Sequence, residues 1–317
     1  MIGDLVSAAD GTVVFETPFA GKLTVKLENI DRVITDESVI IMLNDGSVYR
    51  DRQIEVADEK LVGIAPGEDP VVFASEDIQL INPEPWKLGE GYKWSGNFDA
   101  ALESERGNSD SDEWDVDGRT TWRSLKDRYQ IDGELEKDET SNVTTKDQWK
   151  VRSKYDRFFT PTAIKLGSAN AENYWGGKLR FEYDEFADLD LRTILGPHLG
   201  RQFFDTKRLA LHAELGPVWV DEQFDQAEDD DYPGALWEFE VTSDIVGFGT
   251  EIYFIHDGIL NFDATDEPIL NTKIGIRMPL LFGLQTGFQA KYEYDGGAVA
   301  DVDDMDETYN FFLGYKW

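Results

Sequence analysis

The sequence contains no cysteine, which excludes disulfides, thiolate metal sites and cysteine nucleophiles. It also lacks any run approaching the roughly 18 consecutive apolar residues of a spanning helix. The longest apolar runs, such as Val39-Ile40-Ile41-Met42-Leu43, are of strand length. Any membrane-crossing form of this chain must therefore cross with strands. Basic residues are scarce: 30 Lys and Arg stand against 64 Asp and Glu, a formal charge of −34. Such a chain repels nucleic acid and anionic lipid, so binding through a polycationic surface is excluded and cations remain the natural counter-charge. Met1-Ile2-Gly3-Asp4 has neither a basic nor an apolar leader region. An exported form is therefore expected to have lost its signal peptide.

What the sequence has in quantity is alternation. The last nine residues place Tyr309, Phe311, Leu313, Tyr315 and Trp317 on one face of a strand, with Asn310, Gly314 and Lys316 on the other. A stripe of this kind is favourable where the solvent is lipid, and with Gly314 it has the form of the terminal-strand assembly signal of bacterial outer-membrane barrels. Two β regions precede it, joined by a Pro-bounded linker around Asn82-Pro83-Glu84-Pro85-Trp86. Residues 1–82 show short alternations punctuated by turn residues at Asp10-Gly11, Ala20-Gly21 and Asn44-Asp45-Gly46. They also echo themselves: Glu28-Asn29-Ile30-Asp31-Arg32-Val33 returns as Glu76-Asp77-Ile78-Gln79-Leu80-Ile81, after Phe19-Ala20 and Phe73-Ala74 respectively. This pattern is similar to SH3-like and Sm-like modules. Residues 83–91 form the linker and residues 92–317 the second region.

From Tyr92 onward about twelve alternating segments follow, each near the ten residues a tilted membrane strand needs. Their apolar faces carry Trp94, Phe98 and Leu102, then Tyr129, Ile131 and Leu135, and later Phe248, Ile252 and Phe254. Their opposite faces carry charges. Connector asymmetry is the discriminating feature. Leu125-Lys126-Asp127, Asp205-Thr206-Lys207-Arg208, Val246-Gly247 and Phe282-Gly283 are short. Those at 108–113, 138–146, 224–234, 261–268 and 296–307 are longer and acidic. Short turns on one rim and long loops on the other predict a transmembrane barrel, an even strand count placing both its ends in the periplasm. The stretch 159–173 breaks the rule, being long on the short-turn rim. Pro197 and Pro217, within adjacent strands, predict a bulge or a break in pairing.

The chain resembles the YdiY-like family of Gram-negative outer-membrane proteins, also known as salt-induced outer membrane proteins. The resemblance is carried by Trp94 through Gly107-Asn108-Ser109-Asp110, Asp127-Arg128-Tyr129, Lys154-Tyr155-Asp156-Arg157-Phe158, Phe181-Glu182-Tyr183-Asp184-Glu185-Phe186, Leu189-Asp190-Leu191-Arg192 and Leu313-Gly314-Tyr315-Lys316-Trp317. Upstream, Gly3-Asp4, Asp10-Gly11-Thr12-Val13 and Asp45-Gly46-Ser47 match the β module that precedes the barrel in many members. The resemblance covers nearly the full chain. It implies an all-β protein with a periplasmic β domain and an outer-membrane barrel, and brings no catalytic residues.

Candidate chemistry lies on the lumen face. Lys150, Arg152, Lys154, Lys178 and Arg180 concentrate on the fourth and fifth barrel strands, and Glu238, Glu240, Asp244 and Glu251 on the eighth and ninth. Arg152, Lys154, Arg180, Glu238, Glu240 and Glu251 are the candidate constriction: a transverse field if the lumen is open, paired charges if it is plugged. His198, His212 and Glu214 form a candidate zinc or copper set on adjacent strands, against a plain hydrogen-bonded cluster. His256-Asp257 with Ser243 invites a hydrolase reading, but the spacing follows no nucleophile motif. The acidic segments around Asp225, Glu228, Asp229, Asp230 and Asp231, and around Asp301, Asp303, Asp304, Asp306 and Glu307, offer oxygen ligands for weak, collective Ca²⁺ or Mg²⁺ association. No other cofactor is implied.

The functional expectation is a non-enzymatic envelope barrel, a narrow cation or small-solute pore or a structural component. Its partners would be outer-membrane lipid, lipopolysaccharide and the barrel assembly machinery. The competing readings are an outer-membrane lipid or glycan hydrolase and a soluble acidic β-rich ligand-binding protein. Detergent dependence separates the last from the rest. The full chain should need micelles or bilayer to stay monodisperse and should migrate differently on gels when unheated. A detergent-free monodisperse chain would remove the membrane reading.

Overall fold

The computed structural model describes residues 3–9, 12–26, 29–30, 33–57, 60–65, 67, 69–74, 77–105, 111–159, 171–206, 208–299 and 302–317. The chain divides into two compact units, Met1–Glu90 and Gly91–Trp317. Among the described residues no helix is long and apolar enough to cross a membrane.

In the first unit the described strands are β1 (Asp4–Ala9), β2 (Thr12–Thr17), β3 (Gly21–Lys26), β4 (Val33–Ile34), β5 (Val39–Leu43), β6 (Val48–Ala57), β7 (Lys60–Ile64), β8 (Val71–Ala74) and β9 (Ile78–Ile81). They pair in the order β3-β2-β1-β9-β5-β6-β7-β8, with β4 against β6. Alternation buries Val39 and Ile41 with Ile54, Phe73 and Ile81, and Leu5, Leu43 and Tyr49 pack on that core. The predicted turn at Asn44-Asp45-Gly46 joins β5 to β6, and Asp45 accepts the Ser47 amide at 2.8 Å. That amide and the Ser47 hydroxyl hold the Asp45 carboxyl below its ordinary pKa. The internal echo is not structural equivalence. Phe73 is core, whereas Phe19 is a 97% exposed turn residue, and half of the 28–33 copy lies outside the described residues.

In the second unit the described residues form β10 (Lys93–Glu105), β11 (Ser111–Arg123), β12 (Asp127–Thr140), β13 (Val143–Phe159), β14 (Glu172–Asp184), β15 (Leu189–Asp205), β16 (Ala210–Phe224), β17 (Asp230–Ser243), β18 (Glu251–Asn261), β19 (Ile269–Pro279), β20 (Leu284–Asp295) and β21 (Met305–Lys316). Each pairs antiparallel with its neighbours, and β21 closes on β10 through Phe98↔Tyr315 and Ala100↔Leu313. The barrel is inside out. Trp94, Phe98, Leu102, Ile131, Leu135, Leu195, Leu199, Leu215 and Leu313 are exposed, while Asp99, Asp132, Lys154, Arg180, Glu238 and Lys291 are buried. An apolar wall of that extent is stable against hydrocarbon rather than water, and a closed ladder leaves no backbone edge to satisfy there. This polarity is what selects the membrane barrel over a soluble β protein.

Several local expectations need correction. Residues 138–146 do not form a loop: β12 and β13 run on to a two-residue turn, Ser141-Asn142, with φ of 55° and 61°, the left-handed pair that matches strand twist. Together with the long stretch at 160–171, whose residues 160–170 lie outside the described ones, this makes the rims less unequal than the pattern implied. Phe248 is not on a strand stripe. It occupies the β17–β18 connector at φ 61° and is 99% exposed, matched on the β19–β20 connector by Phe282 at φ 60°. The proline expectation holds in its second form. Pairing of β15 with β16 runs to Leu195↔Trp219 and resumes at Leu199↔Leu215 in unchanged register, so Pro197 and Pro217 interrupt the ladder without a bulge.

The barrel seam is closed by the chain terminus. The Trp317 amide donates to the Gly96 carbonyl at 3.0 Å and the Gly96 amide to the Trp317 carbonyl at 3.1 Å, with the Trp317 ring 5.7 Å from Trp94. A Cβ at position 96 would strike the Trp317 ring, so that approach requires glycine. Tyr309, Phe311, Leu313, Tyr315 and Trp317 all face outward. Trp317→Asp should therefore leave unassembled protein with the N-terminal unit still folded, read by protease accessibility and gel migration. Normal insertion of the variant would show that the stripe is only a sheet edge.

Candidate functional site: the charged lumen

Period-two alternation turns the lumen side of each strand into a row of long ionisable side chains. β13 contributes Lys150, Arg152, Lys154 and Asp156, β14 contributes Lys178, Arg180 and Glu182, and β16 and β17 contribute His212, Glu214, Glu238 and Glu240. Among the described residues the two predicted walls meet through Glu238, while Glu240 and Glu251 are held by cations outside the predicted set. Arg152 binds Glu238 at 2.8 Å and Asp132 at 3.0 Å. Arg180 binds Asp257 at 2.7 Å and Glu182 at 3.0 Å. Lys154 pairs with Glu214, Glu240 is held by Arg119 at 2.8 Å, and Glu251 is shared by Arg277 at 3.2 Å and Lys316 at 2.6 Å. A transverse field between separated walls is replaced by short-range pairs that span the interior.

The network extends beyond the predicted set. Lys291 on β20 reaches Asp115 at 2.8 Å and Glu136 at 2.7 Å on β11 and β12. Lys273 on β19 reaches Asp117 at 2.9 Å and Glu134 at 2.6 Å. Arg192 on β15 joins Glu182, Glu222 and Asp295, tying together β14, β16 and β20. The inward position of Arg192 has a sequence signal: in Leu189-Asp190-Leu191-Arg192 it shares parity with Ile194 and His198, both buried. Breaking such a pair costs about 3–5 kcal/mol, because the partner is left charged and out of water.

The three predicted metal ligands do not converge as one set. His198 turns to Asp156 at 2.7 Å, with Glu214 at 3.8 Å. His212 turns to Glu238 at 3.4 Å, with Glu214 at 3.9 Å. Glu214 thus sits between two buried triads, Asp156/His198/Glu214 and His212/Glu214/Glu238. Tyr174 donates to Glu214 at 2.8 Å, and its ring fills the place where a Cβ on Gly200 would lie. The donor set suits zinc or copper by type. The surrounding charge does not: Lys154 pairs with Glu214, Lys178 lies 3.2 Å from Glu214 and 2.6 Å from Glu238, and Arg128 lies 2.6 Å from Asp156. These cations already neutralise the carboxylates a divalent metal would use, so the residues fit an ion-paired cluster better than a metal centre.

The hydrolase constellation is not assembled. Asp257 faces the lumen and binds Arg180, while His256 faces outward, accepting from the Trp237 indole at 3.1 Å and contacting Thr272 at 2.9 Å. Ser243 donates to the Arg208 carbonyl at 2.8 Å. Successive residues of a strand point to opposite faces, so His256 and Asp257 cannot share a site.

Residues 98–317 match the sequence model of a family described as "Protein of unknown function, DUF481". No curated protein matches the chain. Among solved structures it is similar to the NanC porin, at 9% identity over 69% of this chain and 97% of that one, with a TM-score of 0.42. The outer membrane channel DcaP of Acinetobacter baumannii is 11% identical over 91% of this chain and 98% of that one, with a TM-score of 0.35. The β domain of the Bordetella autotransporter Brka is 10% identical over 72% and 98%, with a TM-score of 0.31. At such distances these likenesses carry no functional argument.

If the buried lysines are what balances Glu214 and Glu238, Zn²⁺ or Cu²⁺ should leave the thermal midpoint of the wild-type barrel unchanged. The Lys154→Met, Lys178→Met pair should become metal-responsive, because the orphaned carboxylates then need a cation. A zinc-dependent rise in the wild-type midpoint, abolished by His198→Ala, would establish a resident metal site instead.

Proposed function

The chain belongs to the family described as protein of unknown function DUF481, a family of outer-membrane β-barrel proteins, and on that footing we propose that it is a non-enzymatic envelope barrel whose lumen is held shut to sugar-sized solutes by its own ion pairs. The carrying observation is that ion pairs cross the interior: Arg119 to Glu240, Arg152 to Glu238, Arg180 to Asp257 and Lys150 to Glu293 join strands four or more places apart in the closed twelve-strand ring. Twelve strands enclose a lumen narrow enough for Arg and Lys to reach across it, whereas barrels of 16 to 18 strands keep an aqueous channel.

In this proposal the rim at which β10 begins and β21 ends faces the periplasm, as even-stranded outer-membrane barrels place both ends there. The N-terminal unit is then periplasmic. The opposite rim, with Asp225, Glu228, Asp229, Asp303 and Asp304, faces outward among lipopolysaccharide phosphates cross-bridged by Mg²⁺ and Ca²⁺. Insertion engages the barrel assembly machinery through the terminal stripe.

Vesicle swelling tests the reading. Liposomes carrying verified inserted protein should not swell in isosmotic arabinose. Glu238→Gln with Glu240→Gln should act on stability rather than on flux, lowering the unheated-to-heated gel transition by the equivalent of about 3–5 kcal/mol for each orphaned partner, an upper figure where cations such as Arg152 keep a second carboxylate. Sugar-driven swelling by the wild type would make it an open porin and defeat the proposal.

A further inference from the structure

The interior is closed unevenly. Around Glu214 and Glu238 it is solid: Lys154, Lys178, Asp156, His198 and Tyr174 are all buried against one another. Above that cluster Ile194, Val218, Val220, Tyr232, Leu236 and Ile259 pack as an apolar lumen wall. The opposite side, where β18–β20 face β10–β13, is not filled. A cavity of about 150 Å³ lies at mid-height there, between Asp117, Asp132 and Glu134 on one side and Asp257, Lys273 and Gln289 on the other. A second, of about 300 Å³, opens at the rim where β10 begins, and it shares Glu251 and Arg277 with the first. A third, also about 300 Å³, opens at the acidic rim and shares Lys150, Asn271 and Glu293 with the first.

The three cavities thus form one off-centre seam, interrupted at two places by side chains. The lower closure is Arg277, whose guanidinium binds Asp99 at 3.0 Å and Glu251 at 3.2 Å and lies 4.1 Å from the Tyr253 ring centre. The upper closure is the Lys150–Glu293 pair. The acidic-rim cavity is lined by Glu182, Asp184, Glu293, Asp295, Asp303, Asp304 and Asp306 against only Lys150 and Arg192. Its field concentrates cations at that mouth. We infer that this seam is a permeation path for water and small inorganic cations, with Arg277 and the Lys150–Glu293 pair as its two constrictions. The inference rests on the proposed shut lumen and adds to it a route too narrow for sugars.

Both constrictions can be altered without stripping a carboxylate of all its hydrogen-bond donors. Without Arg277, Asp99 still accepts from Gln285 at 2.6 Å and Asn97 at 2.9 Å, and Glu251 keeps Lys316. Removing Lys150 and Glu293 together is neutral. Planar-bilayer recordings in KCl should therefore show cation-selective conductance several-fold above wild type for Arg277→Gln combined with Lys150→Gln and Glu293→Gln, each protein verified as inserted and heat-modifiable. Lys178→Gln, which lies in the solid cluster, serves as the control and should not raise conductance. Asp303→Asn with Asp304→Asn in the opened background should reduce cation selectivity at low salt and matter less at 1 M, where the Debye length is about 3 Å. Wild-type conductance in the opened variant, or an equal rise in Lys178→Gln, would overturn the seam while leaving the shut barrel standing. Sugar swelling by wild type would instead sink the shut barrel itself.

Discussion

A charged side chain on the inner wall of a narrow barrel is stable only if it finds water or an opposite charge. Removing one ion from water costs several kcal/mol even after the protein relaxes, so every inward Lys, Arg, Asp and Glu constrains what stands opposite it. The rest of the barrel depends on that constraint. Lipid selects apolar residues on alternate positions, which hands the remaining positions to the lumen, and twelve strands make that lumen narrow enough for Lys291 to reach Asp115 and for Arg180 to reach Asp257. Register follows from the same pairing. A slip of one residue would turn Arg152, Lys154 and Asp156 into hydrocarbon and bring Val151 and Tyr155 inside, so it is opposed on both faces at once.

Pairing does not fill the interior uniformly, and the reason lies in which strands carry which residues. β15 and β16 bring Ile194, Val218 and Val220 inward, so their side of the lumen closes by apolar packing. The strands facing them across the barrel carry long polar side chains that meet tip to tip, and tip-to-tip pairs leave gaps that branched aliphatic chains do not. The 150 Å³ cavity lies among those polar tips. Such a space is polar and large enough to admit several waters. A filled side and an unfilled side within one small barrel are thus a direct outcome of composition strand by strand.

The alternation of the chain was legible because the two faces of each strand meet different solvents; every stripe from Trp94 to Trp317 records that difference, apart from Phe248. Connector lengths were legible only in part. β13 and β15 run for 17 residues each, well beyond the 9–11 a tilted strand needs to cross the hydrocarbon. Residues near 140 that looked like loop are therefore strand. Inward parity identified Arg152, Arg180, Glu238 and Glu240, but no local pattern states who meets whom across a closed sheet. That depends on barrel order and stagger, and so the pairing of Arg152 with Asp132, of Arg180 with Asp257 and of Arg192 with Glu222 and Asp295 emerged only with the fold. The histidine pairing failed for a more local reason. A count back from the β15–β16 turn places His198 across from His212 or Glu214, yet Gln202 stands opposite His212, Gly200 opposite Glu214, and the ladder is interrupted where His198 stands.

The same constraint locates the acidity of the chain. Basic residues are few, and many are committed to the lumen, where Arg119, Arg128, Lys150, Arg152, Lys154, Lys178, Arg180, Arg192, Lys273, Arg277 and Lys291 each hold a carboxylate. Those eleven cations pair with sixteen carboxylates, an excess of five, so much of the excess that produces a charge of −34 must fall on the rims and water-facing surfaces. Charge at a mouth governs which ions are concentrated there, and paired charge inside governs whether anything passes. In the proposed shut barrel, selectivity and closure therefore rest on different residues. Each interior pair is held by the cost of leaving its partner charged and out of water, a constraint that solvated rim carboxylates do not carry.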